Sequence, residues 1–171
     1  MTLANRLRTQ QRLRQAEGYL ELGMPQHALD VLDDVNDAGP SCGRLSLLQG
    51  YALRALGRYV EAIYPLVAAS ETNPNDIHVW LALGWCYKRI QRLDLAIESL
   101  EHALEAAPDQ ALIHYNLSCY WSLARNKERT LEYLARALEL DADYRDLIPQ
   151  ESDFDALRDD PDFRSLITLE V

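Results

Sequence analysis

Apolar side chains recur along this chain at intervals of three and four, and the whole pattern recurs every 34 residues. Trp80, Leu83, Gly84 and Tyr87 fall at i, i+3, i+4 and i+7, which puts them in one stripe of a helix. Ala96, Leu100 and Ala103 make a second stripe, and the polar residues 89–94 between the two predict a turn. Setting residues 9–42, 43–76, 77–110 and 111–144 in register aligns Ala28, Ala62, Ala96 and Thr130 in one column. Further columns hold Leu32, Leu66, Leu100 and Leu134, then Val35, Ala69, Ala103 and Ala137, then Pro40, Pro74, Pro108 and Ala142. Small residues at a helix crossing let two backbones approach, and large ones fill the flanks. Proline after each second helix cannot continue it. The pattern predicts four helix-turn-helix units and no strand. Pro65, inside the second helix of unit two, predicts a bend or local irregularity.

A unit of this length cannot bury its own apolar face, so neighbours must stack into one core. Function is therefore expected on an extended surface rather than in a pocket. The third unit, with Trp80, Leu83, Gly84, Tyr87, Ala96, Leu100, Ala103 and Pro108, resembles a tetratricopeptide repeat at nearly every signature position. Unit one matches at Tyr19, Gly23, Ala28, Leu32 and Pro40, and unit two at Gly50, Gly57, Ala62, Leu66, Ala69 and Pro74. Unit four departs from the pattern at Ser118, Trp121, Thr130 and Ala142, as the end of an array facing solvent would. The resemblance, which extends to small bacterial-type members of the family, implies an all-α, right-handed α-solenoid. It would form one array over residues 1–171, with about four repeats and capping helices over 145–171.

That last stretch is acidic, with nine Asp and Glu against two Arg over residues 141–162. Charge alone would suggest a free tail, but Tyr144, Leu147, Ile148, Phe154, Leu157, Phe163, Leu166 and Ile167 are too many large apolar residues for one. Ser152 with Asp155 resembles a capping box, and Asp160-Pro161 supplies an N-cap and a first-turn proline. Two short helices are predicted to start there and to lie as a lid over the last repeat.

The formal charge of −10 argues against nucleic acid or an anionic membrane as the main partner. No apolar run approaches ~20 residues, so no membrane span is expected. Residues 1–15 carry four arginines without an apolar stretch and do not resemble a secretory signal. Cys42, Cys86 and Cys119 lack metal-ligand spacing and suit small buried thiols of a reducing, cytoplasmic protein. His27, His78, His102 and His114 form no zinc-binding pattern, and no phosphate loop or nucleophile elbow occurs. The chain is expected to be no enzyme and to need no cofactor or metal.

Binding is the remaining expectation, and the resemblance places it on the concave side of the first helices, at positions 5, 9 and 12 of each unit. From unit two onward these are Leu47, Tyr51 and Arg54, then Leu81, Trp85 and Lys88, then Tyr115, Cys119 and Ser122, with His78 and Arg89 flanking the middle set. A helix apolar on two faces must bury the second one somewhere, and an aromatic and basic stripe suits a ligand groove. The lysines and asparagines by which relatives grip a chaperone's terminal carboxylate are replaced by Leu13, Glu17, Leu48, His78 and Ala82. A carboxylate-clamp partner is therefore not expected. The chain is expected to act as an adaptor or scaffold that takes a peptide or helix of a partner protein. The alternatives are a secretion chaperone holding an unfolded client and a structural subunit of a larger assembly.

Overall fold

The computed structural model describes residues 2–35 and 42–168; Pro40 of the proline column lies outside them. Helix follows helix: α1 Leu3–Glu21, α2 Pro25–Asp33, α3 Cys42–Ala55, α4 Tyr59–Thr72, α5 Ile77–Arg89, α6 Leu93–Ala106, α7 Ala111–Leu123 and α8 Lys127–Leu140. Two 3-10 segments come next, η1 Ala142–Gln150 and η2 Ser152–Leu157, and then α9 Pro161–Thr168. No strand occurs among the described residues. The 34-residue register thus reproduces the helix starts at residues 42, 77 and 111 to within one position.

The helices fall into two compact units, Met1–Gln91 and Arg92–Val171. In the first, Leu13 and Ala16 of α1 pack with Ala28, Leu29 and Leu32 of α2 and Leu45, Leu48 and Ala52 of α3. Ala62, Leu66 and Ala69 of α4 form a second cluster with Val79, Ala82, Leu83 and Cys86 of α5. The small-residue columns are what permit this. A Cβ on Gly50 would stand 2.5 Å from Cγ and Cδ2 of Leu66, so α3 and α4 cross at a distance that only glycine allows. In the second unit Ala96, Leu100, Leu134 and Ala137 are fully buried, as is Thr130, whose Oγ1 donates to Asn126 O at 2.8 Å.

Each of the four turns inside a helix pair has one residue in the left-handed region, always at the same repeat position: Gly23, Gly57, Gln91 and Arg125, with φ of 68°, 75°, 62° and 61°. The first two are the glycines that carry the resemblance, while the last two hold that backbone without glycine's freedom. A second repeated device joins the turn before a repeat to its first helix. Trp80 Nε1 donates to Pro74 O at 2.7 Å, and His114 Nε2 sits 2.7 Å from Pro108 O, the same positions one repeat later.

α4 is helical at every residue through Pro65, so the irregularity expected there does not interrupt it. Proline removes a single donor from a helix of 14 residues whose buried stripe of Ala62, Leu66 and Ala69 holds it in place. The C-terminal stretch lies against α7 and α8, and its capping differs in detail from the sequence reading. Ser152 does not cap η2; Glu151 does, accepting from Asp153 N at 3.1 Å. Asp160 caps α9 as read, accepting from the amides of Asp162 and Phe163. Ile148, Phe154 and Phe163 are buried, whereas Leu147 is exposed. Among the described residues no helix is long and apolar enough to cross a membrane.

Candidate functional site

The first unit brings eight of the expected binding residues together on two neighbouring helices. Leu47, Tyr51 and Arg54 come from α3, and His78, Leu81, Trp85, Lys88 and Arg89 from α5. Leu47 and Tyr51 are half-buried against the cluster formed by α4 and α5, so their inner edges are structural and their outer edges are open. Trp85 is different: 45% of it remains in solvent, in the middle of a helix whose opposite face is buried.

The cations of the stripe lie on aromatic faces. The Arg54 guanidinium carbon is 5.2 Å from the Tyr51 ring centre, Lys88 Nζ is 5.9 Å from that of Trp85, and the Arg89 carbon is 5.2 Å from that of Tyr59. Such stacking keeps a cation beside an apolar surface without burying its charge. Arg54, Lys88 and Arg89 also occupy the last turns of α3 and α5, where the helix dipole favours positive charge. Burial raises the pKa of the Tyr51 phenol; Arg54 opposes that rise and Asp76 adds to it. The neighbouring Cys86 thiol is pushed up to about 11 by burial, which keeps it protonated and unreactive at neutral pH.

At the other end of α3 a cleft of about 720 Å³ opens among α1, α3, the end of α4 and the turn that follows. Leu20, Leu47, Leu48 and Tyr51 form its apolar floor, and Glu17, Glu21 and Asp76 give it an acidic margin. Arg44 closes on Glu17 through both Nε, at 2.8 Å, and Nη2, at 2.5 Å. Asp76 caps α5 by accepting from His78 N at 3.0 Å, which fixes the exposed His78 at the helix start. Nothing in the sequence singles out Arg44, Glu21 and Asp76 as neighbours. Their repeat positions differ from unit to unit, and only the fold brings them to one margin.

In the second unit α7 presents Tyr115, Cys119 and Ser122 at the positions that Leu81, Trp85 and Lys88 occupy on α5, and all three are buried. The C-terminal segment covers them. Ser122 Oγ donates to Asp153 O at 2.7 Å, the Tyr115 ring lies 4.9 Å from that of Tyr144, and Phe154 meets it edge-on at 6.0 Å. Phe163 packs behind Phe154 at 5.4 Å. Cys119, Glu151 and Asp153 form the one cluster of possible metal donors among the described residues.

Family models described as tetratricopeptide repeat match residues 13–77 and 53–117, which together take in more than half of the chain. The chain belongs to the tetratricopeptide repeat family. It is 32% identical over 111 residues to the phagocyte signaling-impaired protein of Drosophila pseudoobscura pseudoobscura, a match spanning 64% of this chain but only 12% of that protein. Among solved structures it is similar to MamA, with a TM-score of 0.74 at 19% identity over 81% of each chain. A MamA RS-1 double mutant gives 0.77 at 21% identity over 94% of this chain and 93% of that one. YrrB, described as a TPR protein with an unusual peptide-binding site, gives 0.71 at 26% identity over 79% and 70%. The all-α fold is therefore of the tetratricopeptide type, and the chain is a protein-interaction module. Proteins of this family and fold are generally non-catalytic and bind proteins or peptides.

Proposed function

We propose that the first unit binds an extended or helical segment of a partner protein along α3 and α5, on Leu47, Tyr51, Leu81 and Trp85, with Arg54, Lys88 and Arg89 at one end. The observation that carries this reading is Trp85. Tryptophan is among the residue types most enriched at interface anchors, and this one is held half in water on an ordered helix with a cation over its ring. The preferred ligand has apolar side chains interleaved with Asp or Glu. The covered face of α7 supports this, because the segment lying on the matching positions there is itself Glu151-Ser152-Asp153-Phe154. The unusual peptide-binding site of YrrB supports the ligand class but not its sequence.

An array of synthetic peptides that alternate Phe or Leu with Asp, Lys or Ser tests the reading by fluorescence anisotropy. Acidic peptides should bind best, with affinity falling as salt is raised. Trp85→Ala should weaken the best of them by about 2 kcal/mol, roughly thirtyfold. Equal binding by folded Trp85→Ala protein, or a preference for the lysine series, refutes the assignment.

A further inference from the structure

The two ends of the α3 and α5 face carry opposite charge. The cleft of about 720 Å³ takes Arg44 and Leu47 from the start of α3 and Asp76 and Val79 from the start of α5, so the first turns of the two helices lie together. Their last turns also meet, since the Arg89 guanidinium carbon is 5.2 Å from the ring centre of Tyr59, which opens α4 just after α3 ends. The helices therefore run parallel. Tyr51 joins the two ends, because it lines the cleft and also carries the Arg54 guanidinium over its ring at 5.2 Å. An apolar surface thus runs from Leu20 and Leu47 to Tyr51, with carboxylates at one end and guanidinium groups at the other.

These charges are not neutralised from within. Arg44 and Arg58 of the same unit each close on a glutamate, Glu17 and Glu61, at 2.5 Å. Arg54 and Arg89 form no ion pair among the described residues, and neither does Glu21. The helix dipole accounts for the two arginines, which stand in last turns, but it works against Glu21. Glu21 is the final residue of α1, where unsatisfied carbonyls already make the field negative, and α1 has no basic residue in its last turn. An exposed carboxylate thus stands where α1 alone favours a cation, on the margin of an apolar cleft. With Glu17 held by Arg44, a cation entering the cleft meets Glu21 and Asp76.

We propose that the segment taken by α3 and α5 is dipolar: it sets Asp or Glu against Arg54 and Arg89 and a Lys or Arg in the cleft beside Glu21 and Asp76, with apolar side chains between. This deepens the peptide-binding assignment and rests on it. The aliphatic stem of the cation lies along Leu20 and Leu47 while its head stays at the wet margin. A segment lying the other way would meet like charge at both ends, so the charges also fix the ligand's direction in the groove. Arg54 is seven positions from Leu47 on the cleft floor and ten from Arg44 at its margin. At about 1.5 Å per residue the two ends therefore lie about 10–15 Å apart. An extended ligand spans that with about three to five residues, and a helical one with about two to three turns.

Fluorescence anisotropy of the full chain with three peptides of equal length and apolar content tests this, each made at the extended and at the helical spacing. One has a basic and an acidic end, one has the same residues with the charges alternating, and one has acidic ends only. The dipolar peptide should bind about tenfold more tightly than either of the others. Glu21→Lys, at an exposed position, should invert the order so that the acidic-ended peptide binds best, and Arg54→Glu should weaken both peptides that carry an acidic end. Equal binding of the dipolar and alternating peptides, or an order unmoved by Glu21→Lys, overturns the proposal. If the acidic-ended peptide binds and Trp85→Ala weakens it while the dipolar peptide gains nothing, the dipole is wrong and the binding face stands; if no peptide binds, both fall. Sedimentation velocity of the protein alone checks the competing occupant. Self-association that Glu21→Lys abolishes would seat another copy's exposed Leu3, Arg6 and Leu7 in the cleft and overturn the assignment to a partner.

Discussion

α5 and α7 carry the same register positions and treat them in opposite ways. On α5 they are Leu81, Trp85 and Lys88, and Trp85 stands 45% exposed; on α7 they are Tyr115, Cys119 and Ser122, and none exceeds 5%. The backbone is the same kind of helix in both cases, 13 residues with a buried opposite face. What differs is whether the chain supplies its own cover. Small Cys119 and Ser122 leave room for η2 to approach, and Ser122 bonds its backbone. Trp85 and Lys88 fill that space themselves and hold a polar rim in water. One face is closed by the protein, and on its counterpart Trp85 stays half in solvent.

Removing residues 145–171 breaks the comparison most severely, because it turns α7 into a second open face. Ile148, Phe154 and Phe163 leave burial, each forfeiting about 1.5–3 kcal/mol from a total of perhaps 5–15. The truncated protein should aggregate or melt much earlier in a circular dichroism scan, and an unchanged melting temperature would mean that the cover contributes nothing. Trp85→Ala should do the reverse. It should cost acidic peptides about 2 kcal/mol of binding and shift stability by less than about 1 kcal/mol, whereas a core tryptophan would cost about 3–5.

Alkaline pH distinguishes the faces more finely. Burial first, and then Cys119, Glu151, Asp153 and Tyr144, raise the pKa of the Tyr115 phenol above its ordinary value near 10. The unfolded chain therefore ionises first. The resulting stability is fully present below about pH 10 and is lost as the pH rises toward the folded value, at up to about 1.4 kcal/mol per unit. Tyr115→Phe should flatten the fall in urea midpoint above pH 10, and an unaltered slope would show that the phenol is not held under the cover. The smallest effect concerns the turns. Gln91→Gly and Arg125→Gly should each raise the stability read from urea unfolding, by up to about 1 kcal/mol, by relieving a left-handed backbone that Gly23 and Gly57 adopt without strain.

The helices were legible because each repeat writes its boundaries in residue type: proline ends one unit, and the alanine and leucine columns fix both stripes. Gly50 shows how far that goes: the register marks it as a small residue at a helix crossing, and the structure sets Leu66 against it. The turns at Gln91 and Arg125 were visible only as positions, because the residue types there do not announce a left-handed backbone. The cover over α7 was legible as apolar content but not as contact. Ser122 and Asp153 are 31 positions apart, and no periodicity links them. The same limit hid the cleft beside α3, whose margin draws on several elements at unrelated repeat positions.

The distance between α7 and its cover also sets an order of events during synthesis. Phe154 follows Leu123 by 31 positions, so at 5–20 residues per second α7 is complete about 2–6 s before the aromatic that closes it is made. The contacts inside each helix pair are short in sequence and can form at once. For those seconds Tyr115 and its neighbours meet whatever lies nearby, including the finished C-terminal segment of another copy. A chain translated on a crowded polysome thus has a route to domain-swapped pairs that refolding of dilute full-length protein would not reveal.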